Sequence, residues 1–582
     1  MAVEFDHVIR NGLVCDGTGG PAFQADVAVR HGRIAAVGAF RGRGAEESDA
    51  RDCIVTPGFV DIHTHFDGQA IWSPRLNPSS AHGVTTVVMG NCGVGFAPCR
   101  PQDHELLISV MEGVEDIPGV VMAEGLSWEW ETFPQYLDAL ARRPHDIDVA
   151  AYLPHSPLRV YAMGQRGADN EPASEADLAL MRRLACEAVE AGALGFASSR
   201  QFNHRTRDGF KIPSFEAAEN ELIAIGKGLG DAGRGVMQIV MDVPRRKWAE
   251  EIPMLLRLAS ATGRPITYSL GSDNGGSPEW RAALELTEQA NQFGAALTAQ
   301  VFPRPIGMIV GHDLSVHPFC LCPTYRALAK LSRPEKMAAL RTPEIRARLL
   351  AEEPGDSPSV LAKIGRDFDW MFPLSDPPDY EPAAQLRLSA QAQRRGVSPL
   401  DLAYDMLLED DGRAMLYVAL ANFDHWTLDS AYAMLRASNT VVGLGDGGAH
   451  YGVVCDATFP TSLLAYWTRD RKGPKVSLEW AVQALSSKPA SIVGFTDRGL
   501  LRPGYKADLN IIDYEHLRLR KPKVVFDLPA GGRRLDQDAE GYRMTMVSGS
   551  VIARDGAPTG AFPGQLVRSQ GAVEHPESGR GG

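Results

Sequence analysis

Short apolar segments alternate with amphipathic helical segments through most of the chain. Eight apolar segments have the length and composition of buried strands: residues 54–62, 84–90, 148–153, 193–198, 236–240, 265–270, 296–301 and 440–446. Between the third and fourth of them, Glu175 to Ala191 carries apolar residues at helical spacing. Repeated strand–helix units predict an α/β fold of the (β/α)₈ TIM-barrel type, whose active site lies at the carboxyl ends of the strands.

The two ends of the chain have a different pattern. Residues 5–54 read as short alternating strands separated by glycine-containing turns, and the segments at 504–513 and 543–552 have the same character. This pattern predicts small antiparallel sheets, and composition alone allows two independent β modules. Residues 567–582 are polar and glycine-rich, which predicts a flexible tail.

The seventh and eighth predicted strands are separated by a long insertion, at about 302–435. It is far longer than one crossover connection needs. An insertion here would lie over the mouth of the active site, so we interpret it as a lid that shapes the substrate site. A structural bracket or an interface for a homo-oligomer is the alternative.

Net charge and composition argue against some classes of binding partner. The chain has 582 residues and a net charge of −13, which argues against nucleic acid or an anionic membrane surface as a partner. No apolar run reaches the roughly 18 residues that a membrane span needs, and the N-terminal residues do not have the pattern of a signal peptide. Eight scattered cysteines, without a Cys-X-X-Cys pair, predict free thiols in the cytoplasm.

A histidine pair follows the first predicted strand, in Pro57-Gly-Phe-Val-Asp-Ile-His-Thr-His-Phe-Asp67. Because side chains alternate along a strand, His63 and His65 point the same way and can bind one divalent metal ion. Two polar loop histidines are the alternative. The preceding buried strand and Asp67 favour the metal site.

This segment resembles the start of the amidohydrolase superfamily. Residues 83–98, Gly-Val-Thr-Thr-Val-Val-Met-Gly-Asn-Cys-Gly-Val-Gly-Phe-Ala-Pro, narrow the resemblance to the D-aminoacylase branch, the N-acyl-D-amino acid deacylases. The resemblance extends from about Phe5 to Leu566. It implies a metal-dependent barrel at 55–495 and one small β-sandwich domain built from both chain ends, 1–54 and 496–566.

The same resemblance implies two further metal ligands. Asp446, in Thr440-Val-Val-Gly-Leu-Gly-Asp446, matches a carboxylate that binds the ion and also serves as the general base. The chemistry is sound, because a divalent cation lowers the pKa of water to roughly 7 and a nearby carboxylate can take the proton. Cys92 matches a cysteine ligand. A helix cap for Asp446 and a small buried hydrophobe for Cys92 are the alternatives.

The chain departs from this branch at the fifth and sixth strands. The branch has metal-binding histidines there, whereas this chain offers Gln238, Asp242, Tyr268 and Ser269. Amide and hydroxyl groups are poor zinc ligands. We therefore expect one divalent ion rather than two, with zinc favoured, bound by His63, His65 and Asp446 together with Cys92.

Five more residues near the predicted strand ends are candidates for binding a small amide substrate: His155, Arg159, Arg200, His204 and His450. Guanidinium groups suit a substrate carboxylate, and surface or loop roles are the alternatives. The resulting prediction is a metal-dependent amidohydrolase most like an N-acyl-D-amino acid deacylase. A hydrolase of another amide, cyclic imide or carbamate, or a ligand-binding barrel that has lost its metal site, is the alternative.

Overall fold

Strands and helices alternate along most of the chain in the computed structural model, which describes residues 3–242, 247–357 and 360–569. The strands are β1 (Val3–Val14), β2 (Phe23–Arg30), β3 (Arg33–Gly38), β4 (Arg43–Asp49), β5 (Ile54–Pro57), β6 (Phe59–Asp61), β7 (Val84–Met89), β8 (Asp148–Ala151), β9 (Leu153–Pro154), β10 (Gly195–Ser199), β11 (Val236–Val240), β12 (Ile266–Ser269), β13 (Leu297–Val301), β14 (Ile306–Val310), β15 (Met371–Pro373), β16 (Leu416–Ala421), β17 (Thr440–Val442), β18 (Leu509–Ile512), β19 (Arg518–Leu519), β20 (Lys523–Val525), β21 (Arg534–Asp536), β22 (Ala539–Glu540), β23 (Tyr542–Val547), β24 (Ser550–Arg554) and β25 (Ala557–Pro558).

The α-helices are α1 (Gln69–Trp72), α2 (His104–Glu115), α3 (Gly119–Gly125), α4 (Phe133–Ala141), α5 (His155–Met163), α6 (Gln165–Ala168), α7 (Glu175–Glu190), α8 (Glu219–Asp231), α9 (Trp248–Thr262), α10 (Glu279–Gln292), α11 (Pro323–Ala327), α12 (Arg333–Leu340), α13 (Pro343–Ala351), α14 (Val360–Ile364), α15 (Leu388–Arg395), α16 (Pro399–Leu407), α17 (Glu409–Gly412), α18 (Asp429–Arg436), α19 (Phe459–Ala465), α20 (Leu478–Leu485) and α21 (Ser487–Ile492). Within the described ranges, none of them has the length and apolarity to traverse a bilayer.

The central strands form two parallel sheets. One has the order β6-β7-β8 and the other the order β9-β10-β11-β12-β13-β17, so each of the eight predicted segments contains a strand of these sheets. Tyr152, between β8 and β9, donates its N–H to the carbonyl of Met89 at 2.9 Å. At the other end of the series, Thr64 and Gly447 form a parallel bridge. The Thr64–Gly447 bridge places the segments that follow β6 and β17 side by side.

Two predicted strands differ from those observed. Residues 54–62 form two strands in different sheets, β5 and β6, because the chain turns at Gly58, where a Cβ would collide with Thr85. The predicted strand 440–446 ends at Val442, since Leu444 and Asp446 have φ of 64° and 46°. Left-handed residues cannot continue a strand.

Strands from both chain ends share one nine-stranded sheet. Its order is β25-β24-β23-β18-β5-β1-β2-β3, with β4 paired to β1. Most pairs are antiparallel, but β4 and β5 both lie parallel to β1, which corrects the expectation of a purely antiparallel sheet. In the predicted tail, Val567 and Ser569 donate backbone hydrogen bonds to Val149 and Gly192, so residues 567–569 are held against the core. Residues 570–582 lie outside the described residues.

The insertion at 302–435 has its own apolar core. Strands β14, β15 and β16 form an antiparallel sheet packed against helices, with Met308, Phe319 and Leu340 among the buried residues. Asn274 Nδ2 donates to the carbonyl of Ala419 at 2.9 Å, and Ile309 N donates to the carbonyl of Val453 at 2.6 Å. Since Asn274 and Val453 follow β12 and β17, the insertion lies on the side where the parallel strands end.

Candidate metal centre and active site

Four predicted ligands converge after three different strands. The ligand atoms of His63, His65 and Cys92 all lie within 4.8 Å of one another. Cys92 Sγ is 3.4 Å from His63 Nε2, and Asp446 Oδ1 is 3.4 Å from His63 Nε2 and 3.6 Å from His65 Nε2. Ligand atoms about 2.1 Å from a tetrahedral ion are about 3.4 Å apart. These separations therefore match those around a zinc-like ion, with His63, His65 and Cys92 mutually close and Asp446 close to the two histidines.

Local backbone conformation directs these side chains inward. Asp446 donates its N–H to the carbonyl of His63 at 3.1 Å, and His63 N donates to Asp61 Oδ1 at 3.1 Å. Cys92 and Asp446 have φ of 55° and 46°, in the left-handed region that non-glycine residues rarely adopt. Such strain is concentrated at functional sites, where the surrounding contacts hold it in place.

The cluster is open to solvent on one side. The side chain of His63 is 1% exposed, whereas that of Asp446 is 28% exposed. Cys92 is 7% exposed. Asp446 is thus the member of the cluster that water and a substrate can reach.

Gln300 sets which nitrogen His63 presents, and Glu115 lies beside His65. His63 Nδ1 lies 2.7 Å from Gln300 Oε1, and Gln300 Nε2 donates to Thr267 Oγ1 at 3.0 Å. This arrangement requires His63 Nδ1 to carry the proton, which leaves the lone pair of Nε2 facing the cluster. His65 Nδ1 lies 3.5 Å from Glu115 Oε1, the separation of an ion pair without a hydrogen bond. Sequence reasoning missed both partners, although a glutamine inside the apolar strand 297–301 is a signal of a buried amide that needs a partner.

The charge states of His63 and Asp446 suit metal binding. Burial lowers the pKa of His63 to about 4, so its imidazole is neutral near pH 7. Burial by itself would raise the pKa of Asp446, but the surrounding His65 and His63 hold that pKa well below its usual range. Burial by itself would lower the pKa of His65. Glu115, Cys92 and Asp446 nevertheless raise that pKa well above its usual range, so an ion must displace the proton of that imidazole. Burial raises the pKa of the Cys92 thiol to about 12, and a bound cation is what converts such a thiol to a thiolate ligand.

The sequence pattern of the amidohydrolase family matches residues 46–553, which covers the metal cluster and most of the chain. The chain belongs to the amidohydrolase family. This membership confirms the predicted enzyme class, a metal-dependent hydrolase of carbon–nitrogen bonds other than peptide bonds, and the mixed α/β fold.

Similar proteins confirm the resemblance to the D-aminoacylase branch. An N-acyl-D-aspartate deacylase of Alcaligenes xylosoxydans xylosoxydans is 28% identical over 586 residues, which cover 98% of this chain and 96% of that protein. A D-aminoacylase with a binuclear metal centre has a TM-score of 0.65 at 23% identity, covering 97% of this chain and all of that one. An N-acyl-D-glutamate deacylase from Bordetella bronchiseptica, complexed with zinc and a phosphonate inhibitor, has a TM-score of 0.64 with the same identity and coverage.

The fifth and sixth strands of this amidohydrolase place no imidazole at the centre. Gln238, on β11, accepts a hydrogen bond from the backbone N–H of Cys92 at 3.1 Å. Gln238 Nε2 and Ser269 Oγ are buried without a hydrogen-bond partner among the described residues. Within the described chain, His63, His65 and Cys92 form the one group of three His, Cys, Asp or Glu residues with metal-ligand spacing.

His155 and Arg159 lie in a buried network rather than at an open surface. His155 Nδ1 lies 2.8 Å from Ser198 Oγ, and its Nε2 lies 2.8 Å from Glu221 Oε1. Arg159 Nε donates to the same Glu221 oxygen at 2.8 Å, and its other nitrogens donate to backbone carbonyls. These contacts join α5 to α8, and the donors of Arg159 are directed at the protein itself.

His204 and His450 lie closer to the metal cluster. His450 Nε2 is 3.4 Å from Glu115 Oε2, so the Glu115 carboxylate lies between His65 and His450. Burial, with His450 and His65 nearby, lowers the pKa of His204 to about 3, and His204 Nδ1 lies 2.8 Å from Ser199 Oγ. Arg200 is mostly buried, with Nε 3.4 Å from Glu251 Oε2.

Proposed function

We propose that this amidohydrolase removes the acyl group from N-acyl-D-amino acids, using one divalent ion, with zinc favoured. The observation that carries the proposal is the position of Asp446 Oδ1, 3.4 and 3.6 Å from the Nε2 atoms of His63 and His65 and partly open to solvent. A deacylase of N-acyl-D-aspartate that aligns along 98% of this chain supports the substrate class.

We also propose that the two parallel sheets close into one eight-stranded barrel around this centre. Three contacts support closure. Leu194 N, just before β10, donates to the carbonyl of Ala151 in β8 at 2.9 Å, which joins the two sheets. Thr64 pairs with Gly447, and His65 N donates to the carbonyl of Gly447 at 2.7 Å, which join β6 to β17. In such a barrel the ligands after β6, β7 and β17 occupy the catalytic end.

In the proposed reaction, each residue has a defined task. His63, His65, Cys92 and Asp446 would hold the ion, which when bound polarises an amide carbonyl and lowers the pKa of water. Asp446 accepts the proton of the attacking water and passes it to the leaving nitrogen. Gln300 keeps His63 in the tautomer that presents Nε2, and Glu115 supplies a negative charge 3.5 Å from His65 Nδ1. His204 and His450 lie where they can contact the substrate.

A panel of substrates tests the proposed function. With zinc supplied, the protein should hydrolyse N-acetyl derivatives of D-aspartate, D-glutamate and D-leucine, with L-enantiomers at least about 100-fold slower in kcat/KM. If the protein hydrolyses cyclic imides but none of the N-acyl amino acids, the second function, that of a cyclic amide hydrolase, replaces the proposal. The absence of turnover on every substrate with zinc bound would overturn the assignment.

Replacing Glu115 by glutamine is expected to weaken zinc binding about 10- to 100-fold, because the ligand His65 loses the carboxylate charge beside its Nδ1. Competition with a chromogenic chelator measures the change. Glu112→Gln is the matched control, since Glu112 lies on the same helix and pairs with Arg207 instead. Equal zinc affinity in the two variants would remove Glu115 from this role.

A further inference from the structure

A cavity of about 340 Å³ lies between the insertion and the C-terminal strand β20. Its walls come from the turn after β14, the start of α12, the turn before β16 and residues 521–526. None of the four metal-cluster residues lines it. Its volume is in the range of pockets that hold small organic molecules.

The lining carries more positive than negative charge. It includes four cationic side chains, Arg333, Arg413, Lys521 and Lys523, but two carboxylates, Asp313 and Asp410. Both carboxylates already pair with the two arginines, at 3.0 Å in each case. Lys523 pairs with Asp538, which lies outside the lining. In a chain with a net charge of −13, such a positive excess favours an anion.

Two polar atoms in this lining, Lys521 Nζ and His312 Nε2, form neither an ion pair nor a hydrogen bond with the described residues. Through its charge, Lys521 nonetheless helps, after Arg413, to lower the pKa of Asp410. Lys521 is half-buried and forms no ion pair with any described residue. His312 is 5% exposed, and its Nε2 is buried without a hydrogen bond in the part of the chain that the structure describes. Its Nδ1 lies 3.0 Å from the hydroxyl of Tyr325. Since Nε2 is enclosed by protein, His312 forms part of the wall, and Lys521 is the group that can face a ligand.

The rest of the wall is apolar. Leu314, Met415 and Val524 line the cavity, and Phe526, which also lines it, is 71% exposed. A large exposed aromatic side chain beside a positively charged cavity suits a ligand with both a charged end and a hydrocarbon part. A bare inorganic ion would leave this apolar surface uncovered.

We propose that this cavity is a second binding site, separate from the metal centre, for a small carboxylate with a short hydrocarbon chain. Lys521 contacts the carboxylate, and Leu314, Val524 and Phe526 contact the chain. The proposal does not depend on the reaction catalysed at the metal centre.

Calorimetric titration of the zinc-loaded protein tests the ligand class. Hexanoate is expected to bind at least tenfold more tightly than acetate, which lacks the chain, and than 1-hexanol, which lacks the charge. Crystals soaked with 6-bromohexanoate should show anomalous bromine signal in the cavity. Bromine only at the metal centre, or equal affinity for hexanoate and acetate, would overturn the proposal.

Variants test the residues. Lys521→Met should weaken hexanoate binding at least tenfold, whereas Lys227→Met, on the exposed face of α8, should leave it unchanged. Phe526→Ser should weaken hexanoate binding without affecting acetate binding. Neither substitution lies in the metal cluster, so deacylase activity should persist. Unchanged hexanoate affinity in both Lys521→Met and Phe526→Ser would contradict the site.

Discussion

Replacing Asp446 by asparagine is expected to reduce kcat for N-acyl-D-amino acids by about 10³- to 10⁴-fold, the scale of a lost general base. Asparagine has the same shape and keeps an oxygen that can face His63 and His65. It cannot accept the proton of the attacking water, because its amide is not basic. The measurement is kcat at saturating zinc and substrate.

Two further measurements separate this loss from damage to the fold. The melting temperature of Asp446→Asn should stay close to that of the parent, and its zinc content should remain measurable. Asp231→Asn, which alters an exposed carboxylate on α8 paired with Arg182, should retain full activity. Undiminished turnover in Asp446→Asn would show that another group takes the proton. If Asp446→Asn loses both its zinc and its turnover, the result supports a role for Asp446 in metal binding alone.

The strand pattern could be predicted because hydrophobic runs of strand length recur between amphipathic helices. The change of sheet within residues 54–62 could not be predicted, since both β5 and β6 are buried and read as one apolar run. The change depends on Gly58 passing close to Thr85, a contact between residues from two different strands. Similarly, hydrophobicity gives no sign that Leu444 and Asp446 adopt positive φ.

The metal cluster could be proposed because His63 and His65 follow a buried strand on one face, and because the resemblance to the D-aminoacylase branch implies Cys92 and Asp446 as further ligands. The position of Glu115 beside His65 could not be predicted, since it depends on how α2 packs beside the strand ends. Sequence alone also does not tell which way a side chain in a first helical turn points. Substrate contact by His155 stays a prediction, and sequence alone does not indicate that its Nε2 lies 2.8 Å from Glu221 Oε1.

Zinc-supplemented protein is expected to contain about one zinc ion per chain by elemental analysis. The reason is the donor set at the fifth and sixth strands, where the Gln238 amide and the Ser269 hydroxyl replace the imidazoles that a second ion would need. His63→Ala should reduce zinc affinity by more than about 100-fold, since losing even an outer partner of a ligand costs 10- to 100-fold.

The matched control is His516→Ala, because the His516 side chain is exposed and pairs with Asp513 at a distance from the cluster's ligands. This variant should keep one zinc ion per chain and full activity. Two ions per chain in the parent protein would mean that a group other than an imidazole, such as Asp242 near the end of β11, completes a second site. In that case His63→Ala should lose one ion and retain the other, which distinguishes the two arrangements.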